Sequence, residues 1–228
     1  MNRTGRKGTT HFGYRQVPVE EKNRLVGAIF DSVASRYDLS NDVMSFGLHR
    51  LWRRFAVSLS GVGPGQRVLD VAGGTGEFTG RLARLVGPGG LVVLAEINET
   101  MLGLGRERLA GRGAEGRVEY LLADAERLPL PDDCFDCVTI AFGLRNVTDQ
   151  DAVLAAMYRV LKPGGTAIIL EFSRPTVWGF QPLYDLYSFL IMPIIGWMIS
   201  GNGAGYRYLA ESIRVHPDQE TLKGMMEE

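Results

Sequence analysis

The chain has 228 residues, of which 45% are hydrophobic and 22% charged, and its formal net charge is −1. That length supports one substantial core, and that balance excludes a disordered or fibrous chain. There is no global positive field and no domain-wide basic patch, so nucleic acid is not an expected partner.

Residues 1–16 are polar and glycine-bearing, and disorder is expected at least as far as Thr9. Their basic residues have no apolar run behind them, which a secretory signal would need, so a cytoplasmic location is the default. From Val19 onward, Glu20, Glu21 and Lys22 precede Leu25, Val26, Ile29, Phe30 and Val33. This is helical spacing with acids in the first turn, where the macrodipole favours them. The next stretch mixes Tyr37, Asp38, Asn41, Asp42, Met44, Phe46, His49 and Trp52 around a glycine. It predicts a loop followed by a helix, either a cap over a cofactor cleft or a helical hairpin packed on a sheet.

The segment RVLDVAGGTGEFT, from Arg67 to Thr79, carries the strongest local signal. A short apolar run rises to Asp70, and Gly73, Gly74 and Gly76 then strip side chains from the turn before an LARLV helix pattern. Strand, glycine turn and helix let the backbone touch a nucleotide-like cofactor, with the helix N-terminus facing it. Read from Gly74, the last glycine of the dinucleotide fingerprint is replaced by Thr79, which weakens a nicotinamide reading. No lysine follows the glycines as a P-loop requires. A tight turn with no ligand is the bland alternative.

Beyond the turn, strands are predicted over 68–71, 91–95, 118–123, 135–141 and 166–171, with helices over 79–86, 101–109 and 152–161. Strands separated by helices make an α/β fold with a doubly wound, mostly parallel sheet, whose ligand site lies at the carboxyl edge of the strands. Three successive strands end in an acid: Asp70, Glu96 and Asp124. Glu96 falls where such folds accept hydrogen bonds from ribose hydroxyls, and Asp124 with Ala125 could hold an adenine edge. Cys134 and Cys137 have metal-like spacing, but His11, His49 and His216 form no paired motif. The two cysteines therefore read as small residues at the entry of an apolar strand. Lys162 reads as a solvated charge after a helix. The apolar, aromatic run 189–199 is too short to span a bilayer and is interrupted by Pro193 and Gly196. It is either a core helix or the wall of a tunnel for a long apolar substrate resting on a membrane surface. Pro217 and Asp218 mark a last helix start, with Asp218 as its cap.

DVAGGTG resembles the cofactor loop of class I S-adenosylmethionine-dependent methyltransferases. The longer blocks FDSVASRYDLSNDVMSFGLHRLWRR, AFGLRNVTD, YRVLKPGG, LEFSRP and YRYLAESIRVHPDQETL resemble those of the quinone-biosynthesis C-methyltransferases. The resemblance runs from about Thr9 to the end and implies a Rossmann-like fold. It also implies S-adenosyl-L-methionine as cofactor and C-methylation of an isoprenoid hydroquinone, either a demethylmenaquinol or the methoxybenzoquinol of the ubiquinone pathway. The cofactor residues it implies are Thr75, Glu96, Asp124, Ala125 and Ala141, in addition to Asp70, Gly73, Gly74 and Gly76 of the turn. Tyr37 and Asp38 match the block that closes over the methionine portion. Glu77 and Glu96 stand where relatives often have Asp, Asp124 where they often have Asn, and Ala141 where some have Ser.

The resemblance divides the chain into a disordered segment 1–16 and a methyltransferase domain 17–228. Within that domain lie a helical cap (17–60), a cofactor core (67–171) and an apolar substrate-side insertion (175–210). Arg145 and Asn146 in FGLRNV are the expected catalytic pair, the arginine as a cation for the quinolate and the asparagine orienting the ring or a water. A salt bridge beside the fourth strand is the competing reading of Arg145. His49 and Asp38 are secondary candidates for proton handling. The usual last one or two strands of the seven-stranded sheet are expected to be lacking. A truncated, non-catalytic cofactor-binding member is therefore the alternative function. Peripheral contact with the inner membrane and a homodimer are both left open.

Overall fold

In a computed structural model of the chain, which describes residues 8–110, 114, 116–174, 179, 181–200 and 203–227, Thr9–Phe12 (β1) and Arg15–Pro18 (β2) pair as an antiparallel hairpin. Disorder was expected as far as residue 16, so this corrects that expectation over 9–16; residues 1–7 lie outside the described residues. The hairpin's support is remote. Phe12 stacks on Tyr208 with ring centroids 4.4 Å apart, and the Tyr14 N–H donates to Glu211 Oε2 at 3.1 Å. Gly13 makes the turn at φ 59°, and a Cβ there would run into Glu211.

The helix α1 spans Val19–Val33, and α2 spans Tyr37–Ser45 where a loop was expected. Phe46 ends α2 in a left-handed conformation and Gly47 turns the chain into α3, Leu48–Leu59. Two compact units result, residues 48–171 forming one and residues 1–47 with 172–228 the other. Helix α3 belongs to the first unit, so the expected cap over 17–60 is divided at Gly47.

In that unit β3 (Arg67–Val71), α4 (Glu77–Val86), β4 (Leu91–Glu96), α5 (Glu99–Ala110), β5 (Val118–Leu122), β6 (Phe135–Ala141), α6 (Gln150–Val160) and β7 (Leu161–Leu170) follow in order. Among the described residues the strands form a five-stranded sheet in the order β5-β4-β3-β6-β7, every adjacent pair parallel. The chain leaves β3 toward β5 and returns to its other side with β6, so the topological switch lies at β3 and β6. Burial explains the composition: Val68, Leu69, Val71, Val92, Leu94, Val138 and Ile140 are fully enclosed, as central parallel strands require.

The starts of α5 and α6 fall earlier than apolar spacing suggested because polar side chains cap them. Asn98 Oδ1 accepts the Met101 N–H at 2.9 Å, and Asp149 Oδ1 accepts the Ala152 N–H at 3.0 Å. Strand β7 also starts earlier than the expected 166. Leu161 pairs with Phe135, residues 162–165 leave the ladder around Gly164 at φ 78°, and pairing resumes between Cys137 and Thr166.

In the other unit α7 (Gln181–Leu186) passes through a π-helical stretch, Tyr187–Ile191, into α8 (Met192–Ser200). Pro193 explains the widened turn, since it lacks an N–H and its ring crowds the preceding turn. Helix α9 (Gly203–Val215) packs on α8, and Gly196 is the close point, because a Cβ there would run into the Tyr206 ring. The last helix, α10 (Gln219–Glu227), starts at the expected cap, with the Thr221 N–H donating to Asp218 Oδ1 at 2.9 Å. Among the described residues no helix is long and apolar enough to cross a membrane.

Candidate cofactor site

The turn after β3 is built from close approaches. The Gly73 N–H donates to the Ala95 carbonyl at 3.2 Å, and a Cβ at Gly73 would meet Leu94 at 2.8 Å. Gly74 and Gly76 both have left-handed φ, 55° and 73°. Gly76 also faces Leu109, which a Cβ would approach to 2.9 Å, so α4, α5 and the sheet close on a turn that only glycine fits.

Glu96, at the end of β4, is the acid that meets this turn. Its Oε2 accepts the Gly74 N–H and its Oε1 the Asn98 N–H, each at 2.9 Å. Burial pushes its pKa above the ordinary 4.5, and these amide donors oppose that rise. The Ile97 amide is a third donor to this carboxylate, whose roughly four lone-pair sites still leave a place for a hydroxyl. Asp124 follows β5 as the cap of a short turn, Ala125–Arg127, with Oδ1 accepting the Glu126 N–H at 3.0 Å. Ala125 begins that turn, and Ala141 ends β6 half-buried on the same carboxyl edge.

Asp70 requires a correction. It is 1% exposed, and its oxygens accept hydroxyls from Thr79 at 2.5 Å and Thr139 at 2.9 Å. It lies beneath the turn and ties β3 to α4 and β6, so it supports the site and does not line it. Burial raises its pKa from 3.8 to about 6 against the pull of those hydroxyls. Thr79, which replaces the fingerprint's last glycine, is the fully buried partner in that bond. Thr75 is also turned inward, its Oγ1 accepting from Arg108 Nη1 at 2.9 Å.

Arg145 changes role as well. Its Nη1 donates to Glu171 Oε1 and to the Phe142 carbonyl, both at 2.6 Å, and its N–H reaches Glu171 Oε2 at 3.1 Å. The two side chains are 7% and 2% exposed. The guanidinium is held by a carboxylate and a backbone carbonyl, which is the contact the salt-bridge reading describes. The pair fixes the turn after β6, in which Phe142 has a left-handed φ of 62° and Asn146 is buried near the Phe142 carbonyl.

His49 lies on α3 with Nε2 3.7 Å from Glu77 Oε2. Tyr37 starts α2 in the other unit with its ring 6.0 Å from Phe30, and the Asp38 side chain lies outside the described residues. Lys162 is ion-paired with Asp136 at 2.6 Å, not simply solvated. Cys137 is buried in β6 with its thiol pushed up to about 12, and Cys134 Sγ donates to the Pro131 carbonyl.

Sequence reasoning missed Glu126, whose Oε1 accepts the Thr148 and Asp149 N–H groups, and it missed Arg53. Arg53 is buried on α3, ion-paired with Glu77, and its guanidinium lies 5.4 Å from the Phe142 ring centroid. Arg81 Nη2 joins the same carboxylate at 3.1 Å. The signal was available in the spacing of His49, Arg53 and Ala56, the buried stripe of α3, while Leu51, Phe55 and Leu59 face outward.

Comparisons with known proteins agree with this geometry. The chain is 60% identical over 220 residues to the ubiquinone/menaquinone biosynthesis C-methyltransferase of Pseudomonas putida strain F1, covering 96% of this chain and 86% of that protein. It is 59% identical to the protein of the same name from Teredinibacter turnerae, covering 97% of this chain and 89% of that one. Its fold matches a solved S-adenosylmethionine-dependent methyltransferase from Thermotoga maritima with a TM-score of 0.62 at 21% identity, over 89% of this chain and 79% of that one. Residues 17–228 match one family throughout, and the chain belongs to the ubiE/COQ5 methyltransferase family.

Proposed function

We propose that this chain uses S-adenosylmethionine to methylate a ring carbon of an isoprenoid quinol in ubiquinone or menaquinone biosynthesis. The carrying observation is the buried Glu96 carboxylate bound to the Gly74 amide, in a chain 60% identical to proteins named for that reaction. The cofactor supplies a methyl group made electrophilic by a sulfonium. The protein's part is to hold and align. Glu96 accepts ribose hydroxyls; Asp124 and the Ala125 amide meet the adenine edge; Gly73, Gly74, Thr75 and Gly76 bring backbone close to the ligand; Ala141 leaves room beside it. Arg145, through Glu171, holds the 142–146 turn, with Asn146, as a surface for the quinol ring. Alignment of the reacting atoms is the main source of rate in such a displacement.

The quinol's tail belongs in a bilayer, and peripheral contact with a membrane surface is part of the same proposal. Ile194, Trp197 and Met198 on α8 are 53%, 65% and 72% exposed, an apolar face with an interfacial aromatic. The decisive experiment is methyl transfer to a short-tailed demethylmenaquinol, with calorimetric binding of S-adenosylmethionine against NAD. Methylated product with binding of the first ligand alone is expected; binding without transfer would favour a non-catalytic cofactor-binding protein.

A further inference from the structure

We propose that Arg53 recognises the carboxylate of the amino-acid end of S-adenosylmethionine, with Glu77 left to meet the adjacent ammonium. This rests on the cofactor reading above and assigns a residue to the zwitterionic end of the ligand.

Arg53 sits where two turns meet. Its ion-pair partner Glu77 is the first residue of α4, directly after Gly76, and Phe142, beneath its guanidinium, directly follows β6. The guanidinium is therefore held at the carboxyl ends of β3 and β6, the switch point of the sheet. Its side chain is 8% exposed, and its Nε is buried with no hydrogen-bond partner among the described residues. Burying an arginine donor without a partner is costly, and Arg81 Nε beside it is buried in the same way, so this cluster has donors to spare for an acceptor.

The local charge points the same way. The guanidinium groups of Arg53 and Arg81 converge on one carboxylate, Glu77, and His49 adds a third cation when protonated. Asp70, the next carboxylate, is occupied by Thr79 and Thr139. With Asp70 ionised, the two guanidinium groups and the two carboxylates balance, and the N-terminus of α4 adds a partial positive charge, so a zwitterion can enter by exchanging partners without changing the net charge. An α-amino acid head supplies both partners: a planar carboxylate for the guanidinium fork and an ammonium for Glu77.

The test compares S-adenosylhomocysteine with 5′-methylthioadenosine, which shares the adenosine and thioether but has no amino-acid end. In Arg53→Gln, calorimetry is expected to show S-adenosylhomocysteine weakened about 10- to 100-fold with methylthioadenosine unchanged. Arg53→Lys keeps the charge and the pairing with Glu77 but loses the planar fork. It should reduce the ratio of the two affinities by a smaller factor, and it becomes the deciding variant if the glutamine protein does not fold. Equal weakening of both ligands, or no change in either, would mean that the pair only ties α3 to α4 and would overturn the proposal. A wild-type chain that bound neither ligand would instead overturn the cofactor reading beneath it.

Discussion

Asp70 shows how one buried carboxylate can set a pH dependence without touching a ligand. Its pKa is raised from 3.8 to about 6, so the folded state holds its proton where the unfolded chain has lost it. Stability from this group is therefore complete below about pH 4 and is lost as pH rises to about 6, a change of roughly 3 kcal/mol. Urea unfolding of wild type and Asp70→Asn across pH 4–7 should show a smaller fall in the variant, the remainder coming from Glu96, whose pKa is also raised. In the proposed cofactor site Glu96 acts in the opposite sense on binding, because ribose hydroxyls would donate to its ionised form. Affinity for S-adenosylhomocysteine should weaken as pH drops through the raised pKa of Glu96, and Glu96→Gln should show weaker binding with a flat profile. Calorimetry between pH 8 and 5 checks both. For Arg145 and Glu171, removing one partner strands a buried charge, at a cost of about 3–5 kcal/mol. Arg145→Met should be strongly destabilised, and combining it with Glu171→Leu should restore much of the loss in a double-mutant cycle read by urea midpoints.

Among the elements, α8 and α9 depend on one missing side chain. Gly196→Ala would press a methyl into the Tyr206 ring and should destabilise the protein by about 1–3 kcal/mol or more, read as a lowered melting temperature. Elements of this kind divide sharply in how far sequence reveals them. The five parallel strands and the glycine turn were legible because β-branched runs, glycines and acids recur at short range. The hairpin of β1 and β2 was not, because Phe12 and Tyr14 depend on Tyr208 and Glu211, far along the chain. The start of β7 was hidden by Pro163 and the glycines after it, which read as a turn although Leu161 already pairs with Phe135. The contact of Glu96 with the glycine turn was legible from its distance beyond that turn. The inward orientation of Asp70 follows from its register opposite Thr139, which no single strand contains.

At the scale of the molecule, the exposed apolar face of α8 gives the membrane proposal its test. Trp197→Lys should reduce co-sedimentation with anionic phospholipid vesicles severalfold while turnover of a short-tailed, water-soluble quinol stays unchanged. Unchanged sedimentation would remove that part of the proposal. Helix α3 carries a different consequence. It turns His49 and Arg53 inward and leaves Leu51, Phe55 and Leu59 largely exposed, so ion pairs carry much of its attachment beside a small apolar foothold of Ala56 and half-buried Val57. Detaching such a helix uncovers little hydrocarbon and would add little to the heat capacity of opening, while dissolved electrolyte would loosen its ion pairs. Amide exchange in α3 should therefore quicken with added sodium chloride more than it does in the sheet, making this helix the part of the cofactor unit whose hold responds to ionic strength.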